Sequence, residues 1–214
     1  ASSSSSFAAL TVTAYVCAKH FENFSEDLTL DELAAISRIG SGASVRSFMN
    51  GVVLWDRLTI RQIELPIIKG GSHVVLVIND SKKKISSSQA HQRVSSSALL
   101  EDRPRRVKER LERMIRPDVS WQDLFMIVWN EFWDMMALFE TSRPPFGYFC
   151  GPTVEILNFI RDYWENKNDG PLVTMDAGPN IHLIFRQDHG SNLKEELLRE
   201  IKQRWNIQMF FSAI

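Results

Sequence analysis

The chain has 214 residues, 44% of them hydrophobic, and its 25 Lys and Arg against 26 Asp and Glu leave a net charge of -1. That length suits one large domain or two small ones, and a content of 13 Phe and 6 Trp excludes a disordered chain. The near-zero charge argues against general nucleic-acid binding, while local basic groups remain free to hold small anions.

Phe7 to Phe21 reads as a buried helix rich in small residues. Leu28 to Met49 is a second helical region, interrupted by Gly40-Ser41-Gly42, with Thr29 and Glu32 spaced as a capping box. Val52 to Trp55 and Gln62 to Pro66 read as short strands. The turn Lys69-Gly70-Gly71-Ser72 is the expected boundary between a domain over 1–70 and another over 71–214. His73 to Ile78 is a continuous apolar strand, followed by the lysine-rich stretch Asn79 to Ser88.

Arg103 to Arg116 reads as a charged helix whose basic run is a solvated face. Trp121 to Phe139 is an apolar helix stopped by Arg143-Pro144-Pro145, and Pro152 to Glu165 is the next, with Pro152 in its first turn. Two strand-like runs, Leu172 to Met175 and Ile181 to Phe185, flank Asp176-Ala177-Gly178-Pro179-Asn180. Asn192 to Trp205 is amphipathic, and Gln208 to Phe211 is a last strand. The order β-α-α-α-β-β-α-β predicts an α+β sandwich with helices on one sheet face. Cys17 and Cys150 build neither a disulfide framework nor a metal site and read as reduced thiols of a cytoplasmic protein. No apolar run reaches the roughly 20 residues of a membrane span, and no signal peptide is visible.

Four segments could carry chemistry. ASSSSSFAAL (1–10) places hydroxyls and backbone N–H groups at a helix start, where the dipole favours an anion such as phosphate; a plain serine cap is the alternative. In SRIGSGASVRS (37–47) the glycines allow close approach to a ligand, and a helical turn after Gly42 puts Ser41 at its start and Arg46 about one turn on, offering a fork to a carboxylate or phosphate. A flexible turn with an exposed arginine fits the same residues. NDSKKKISSS (79–88) lies between a strand and a helix and suits phosphate, or is a solvated lysine turn. In VTMDAGPN (173–180), Asp176 between apolar runs is costly to bury unless paired or used, and can act as a base, orient a hydroxyl, or cap the turn.

In this order the segments resemble the diphosphomevalonate decarboxylases of the GHMP kinase superfamily, whose pattern runs from a phosphate loop ending in ASS through GSGSACRS and KKxVSS to DAGPN. The chain reads ASSSSSFAAL, GSGASVRS, KKKISSS and MDAGPN, and Pro144-Pro145 fits a further landmark. The resemblance implies a GHMP kinase-like two-domain fold, with the remainder of the N-terminal domain followed by a ferredoxin-like α/β sandwich. It also implies ATP and Mg2+ as cofactors and mevalonate diphosphate as substrate. Ser2, Ser3, Ser86 and Ser87 match ATP-binding positions; Ser41, Arg46 and Asp176 match substrate-binding ones. Asp176 and Arg46 match catalytic groups, the first at the substrate 3-hydroxyl and the second at the carboxylate that leaves. No protein ligand to the metal is implied. No nucleic acid or membrane is implied as a partner, and a homodimer is compatible with the family.

Ala43 stands where the family has a second serine, removing a hydroxyl worth about 1.5–3 kcal/mol to a charged group. Ser44 is its neighbour but faces about 100° away on a helix. Ala90-His91 replaces a Gly-Met, and Trp133 and Met136 fall where some relatives are polar. Family members also carry a leading segment with a lysine, a tyrosine and an arginine, so the resemblance implies that this stretch alone is inactive, with exposed sheet edges that make it poorly soluble. The alternatives are a related GHMP decarboxylase or kinase acting on phosphomevalonate or mevalonate, and a non-catalytic remnant or interaction module.

Overall fold

An early serine run lets the first helix begin ahead of Phe7, and the helix is not buried as expected: Leu10, Val16 and Phe21 are more than half exposed, and among its described side chains only Ala8 is buried. In the computed structural model, which describes residues 3–21, 24–55, 60–79, 85, 87–176, 178–188 and 191–214, α1 spans Ser3–Phe21. The chain divides into two compact units, Ala1–Leu65 and Pro66–Ile214.

In the first unit, α2 (Leu30–Gly40) starts at the predicted capping box: Glu32 N–H donates to Thr29 Oγ1 at 3.3 Å and Thr29 N–H to Glu32 Oε2 at 2.8 Å. A Cβ at Gly40 would fall inside the Phe7 ring, so glycine is what lets the end of α2 lie against α1. The second helical region then breaks at Ser41 and continues as a 3-10 helix over Gly42–Phe48. Strands β1 (Val52–Trp55) and β2 (Ile60–Ile63) pair antiparallel, Val52 opposite Ile63. The second strand therefore lies two residues earlier than the Gln62 start expected, and Pro66 opens a 3-10 turn, Pro66–Ile68, in place of a strand end.

The second unit runs β3 (Ser72–Val77), α3 (Ser87–Val94), α4 (Arg103–Met114), α5 (Trp121–Glu140), α6 (Gly151–Lys167), β4 (Leu172–Thr174), β5 (Ile181–Phe185), α7 (Ser191–Trp205) and β6 (Gln208–Ala213). Its sheet has the order β4-β5-β3-β6, antiparallel throughout. That is the ferredoxin-like arrangement of two split β-α-β pieces. Val74, Leu76, Ile181, Leu183 and Phe185 point to one face and are buried, as are Phe132, Ile160 and Ile201 of α5, α6 and α7. On the other face His73, Val75, His182 and Ile184 stay half-exposed. Buried indoles pin the helices to the start of β4: Trp121 Nε1 donates to Gly170 O at 2.7 Å and Trp164 Nε1 to Pro171 O at 2.8 Å.

The basic run of α4 is a solvated face only in part: Arg105, Lys108 and Arg113 are exposed as expected, and the other arginines are not. Arg103, Arg106 and Arg110 share one side of the helix and turn onto Asp134 and Glu131 of α5. Asp134 alone accepts from Arg103 Nη1 at 2.7 Å, Arg106 Nη2 at 2.8 Å and Arg110 Nη1 at 2.7 Å. Burial pushes the Asp134 carboxyl up, but the hydrogen bonds from Arg106, Arg110 and Arg103 together outweigh it and hold it well below the usual carboxylate range. Helix α3 adds a fourth helix between β3 and β4 to the three expected.

Candidate functional site

The first unit brings two of the four segments together. Ser4 Oγ, in the first turn of α1, donates to Ala43 O at 2.8 Å and lies 3.4 Å from Ser47 Oγ. The serine-rich helix start and the GSGASVRS turn thus form one surface. Ser41 ends α2 and caps the 3-10 helix, with extended backbone at φ -150 and ψ 116. Arg46 is one turn on and exposed, its Nε donating to Ala43 O at 3.4 Å. Among the described residues no carboxylate pairs with it. The first turn of α1 carries no acidic side chain, so its unsatisfied N–H groups suit an anion. Ser44 is fully buried and accepts from Ser37 Oγ at 2.7 Å, so it cannot replace the hydroxyl missing at Ala43. Ser2 lies outside the described residues; Ser3 opens α1.

The second unit builds the Asp176 turn. Met175 is buried beneath it, and Asp176 itself is exposed, so no burial cost has to be met. Gly178 takes φ +82, and a Cβ there would lie 3.1 Å from Met175 Cε. Asn180, which sequence reasoning passed over, is the clamp: its Oδ1 accepts from Ile78 N at 2.9 Å and Asn79 N at 3.1 Å. The turn is thereby tied to the end of β3, where the KKKISSS segment departs. Thr153 Oγ1, fully buried in the first turn of α6, donates to Pro179 O at 3.2 Å. Of KKKISSS, Lys82 to Lys84 and Ser86 lie outside the described residues; Ser87 opens α3, and Ile85 O accepts from Tyr148 Oη at 3.0 Å. Trp133 and Met136 line a slot of about 240 Å3 with Phe139, Tyr148 and Phe149, and a Cβ at Gly178 would lie 3.6 Å from the Phe149 ring.

One strand beyond the turn, His182 Nδ1 and His73 Nε2 are 2.9 Å apart, and His73 Nδ1 is 3.3 Å from Ser212 Oγ. Ring centroids 5.1 Å apart in nearly parallel planes (10°) make this an imidazole–imidazole hydrogen bond. Burial, then the neighbouring His182, lower the pKa of His73; burial lowers that of His182 against an upward pull from Asp176.

Family models match both parts of the chain: the mevalonate 5-diphosphate decarboxylase C-terminal domain over 73–214, and the diphosphomevalonate decarboxylase-like N-terminal domain over 1–62. The chain belongs to the mevalonate 5-diphosphate decarboxylase family. A crystal structure of a mevalonate diphosphate decarboxylase from Legionella pneumophila is 38% identical, with a TM-score of 0.85 over 98% of this chain and 66% of that one. The diphosphomevalonate decarboxylase of Debaryomyces hansenii is 29% identical over 90% of this chain and 52% of its own length. The MDDEF complex with MVAPP, AMPPCP and magnesium shares the fold at 22% identity and a TM-score of 0.76, over 100% of this chain and 68% of that one. The chain thus spans about half the length of the curated relatives it matches. Among the described residues no helix is long and apolar enough to cross a membrane, and no cluster of three or more His, Cys, Asp and Glu could hold a metal.

Proposed function

We propose that the polypeptide bearing this chain decarboxylates mevalonate 5-diphosphate to isopentenyl diphosphate at the expense of ATP, releasing ADP, phosphate and CO2. The observation that carries this reading is the joint surface of the α1 start, Ser41 and Arg46, whose donors suit phosphate and carboxylate, within a decarboxylase-family chain. The relative solved with MVAPP, AMPPCP and magnesium supports the choice of substrates.

Asp176, exposed on a clamped turn, accepts the proton of the 3-hydroxyl, whose oxygen takes the γ-phosphoryl group of ATP. The C–O bond to the new phosphate then breaks. The C–C bond to the carboxylate follows, its electron pair forming the alkene as CO2 leaves. Arg46 holds that carboxylate in a bidentate fork until the bond breaks. Ser41 and the N–H groups at the start of α1 take phosphate oxygens. When bound, Mg2+ neutralises charge across the nucleotide phosphates.

The test is ATP-dependent CO2 release from mevalonate diphosphate by the intact polypeptide, with Asp176→Ala as control. Release that disappears in the variant supports the reading; ADP formation without CO2 moves it to a kinase. A second reading, a substrate with one phosphate fewer, is favoured by one observation: Ala43 offers no hydroxyl and Ser44 is committed to Ser37. A kcat/KM higher for mevalonate 5-phosphate than for the diphosphate would establish it.

A further inference from the structure

Asp176 stands on an exposed turn, where a side chain is ordinarily free to wander. A reacting group has to be held to within about 0.5 Å of its working place. The turn is fastened at two points. Asn180 ties it to the end of β3. The other fastening comes from Thr153, far outside the MDAGPN motif in sequence.

Thr153 is the third residue of α6 and is fully buried. A helical threonine usually gives its hydroxyl to a carbonyl three or four residues back in its own helix. This donor is aimed elsewhere: Thr153 Oγ1 donates to Pro179 O, 3.2 Å away on the turn. With that proton committed, Thr153 Oγ1 accepts from Cys150 Sγ, 3.3 Å away at the N-cap of α6. The donors run one way, from Cys150 to Thr153 to Pro179, and the run ends on backbone within the turn. Helix α6 is itself seated in the core by Ile156, Leu157 and Ile160, none of them more than 1% exposed. One side of the turn is therefore held by a rigid helix and the other by a central strand.

We propose that Thr153 is a positioning residue for Asp176: its hydroxyl holds the Pro179 carbonyl and so fixes where the Asp176 carboxylate meets the substrate hydroxyl. The inference rests on the decarboxylase reading. Being fully buried, Thr153 itself meets neither substrate nor nucleotide. It acts through the turn, and a misplacement of about 1 Å in a reacting group costs roughly 10²-fold in rate.

The test compares Thr153→Val with Thr153→Ser in the intact polypeptide. Valine keeps the branched shape and loses the hydroxyl; serine keeps the hydroxyl and loses a methyl group. Both should lower Tm, valine through an unpaired carbonyl and serine through a small void. Only valine releases the turn. Its kcat for CO2 release should fall at least about tenfold, with KM for mevalonate diphosphate and for ATP changed by less than about twofold. Thr153→Ser should keep more than about half of the wild-type kcat. The 13C shift of the Pro179 carbonyl reads the bond without turnover, and should move in the valine variant and stay in the serine variant. A kcat that falls alike in both variants overturns the proposal, because Thr153 then serves the fold alone. A raised KM at unchanged kcat in Thr153→Val overturns it, as does an unmoved Pro179 carbonyl. A wild type that releases no CO2 refutes the decarboxylase reading and with it the role of Asp176, while the carbonyl shift still decides whether Thr153 holds the turn.

Discussion

Replacing Asn180 with alanine removes both bonds that tie the Asp176 turn to the end of β3. The two losses are unequal. Ile78 is half-buried, so its N–H loses about 1 kcal/mol of net hydrogen bonding, whereas the N–H of exposed Asn79 is taken up by water at a few tenths of a kcal/mol. Removing the carboxamide should therefore destabilise the second unit by about 1.5 kcal/mol. Asn180→Asp keeps the acceptor in place and should lose less than half as much. Urea unfolding at constant m gives the energies, and amide exchange shows where they act: Ile78 and Asn79 should exchange faster in the alanine variant and not in the aspartate variant. A loss below 0.5 kcal/mol with unchanged exchange at Ile78 would refute the clamp, and equal losses in both variants would refute the acceptor as its basis.

Asp134→Asn takes the carboxylate from Arg106 and leaves Arg103 and Arg110 with Glu131 alone; in this half-buried cluster it should cost about 1–2 kcal/mol, between the values for exposed and buried pairs; thermal unfolding measures it, and Arg103→Met in the same background should cost less than it does alone. Gly178→Ala meets both the positive φ and Met175 and should cost 1 kcal/mol or more, read from the same urea curves. The second unit should weaken in mild acid. His73 and His182 both have folded pKa values below the ordinary 6.5, so their neutral forms favour folding. Their contribution is complete above pH 6.5 and is lost as pH falls from there toward the depressed values. A His73→Gln, His182→Gln variant should flatten the loss between pH 8 and 5.5; an unchanged slope would remove the pair from the account.

Most elements were legible because their signals are local. The run HVVLVI and the alternation in Ile181 to Phe185 predict strands that form within a residue of where they should. Thr29 and Glu32 announce the start of α2. The break after α2 was legible for the same reason, since Gly40-Ser41-Gly42 interrupts the helical run, and Arg46 stands one turn beyond Ser41 as the offset predicts. Helix α3 escaped because SSQAHQRV has no apolar stripe; among its described side chains only Ala90 is buried. The direction of the α4 arginines depends on Glu131 and Asp134, 21 to 31 residues further on. Asn180 acts on backbone 101 and 102 residues away. Neither contact leaves a trace in local composition or period.

The position of β3 in its sheet has a consequence for how the polypeptide is made. It is the first strand of its unit to leave the ribosome, yet it becomes a central one, and its partners at His182 and Ser212 come 109 and 139 residues after His73. At about 5 to 20 residues per second, the last of them follows some 7 to 28 seconds later. Until β5 follows, about 5 to 22 seconds on at those rates, a continuous apolar strand has both edges bare, and one edge stays bare until β6. Nascent chains halted before β6 should therefore be held by chaperones, and those released after it should let go.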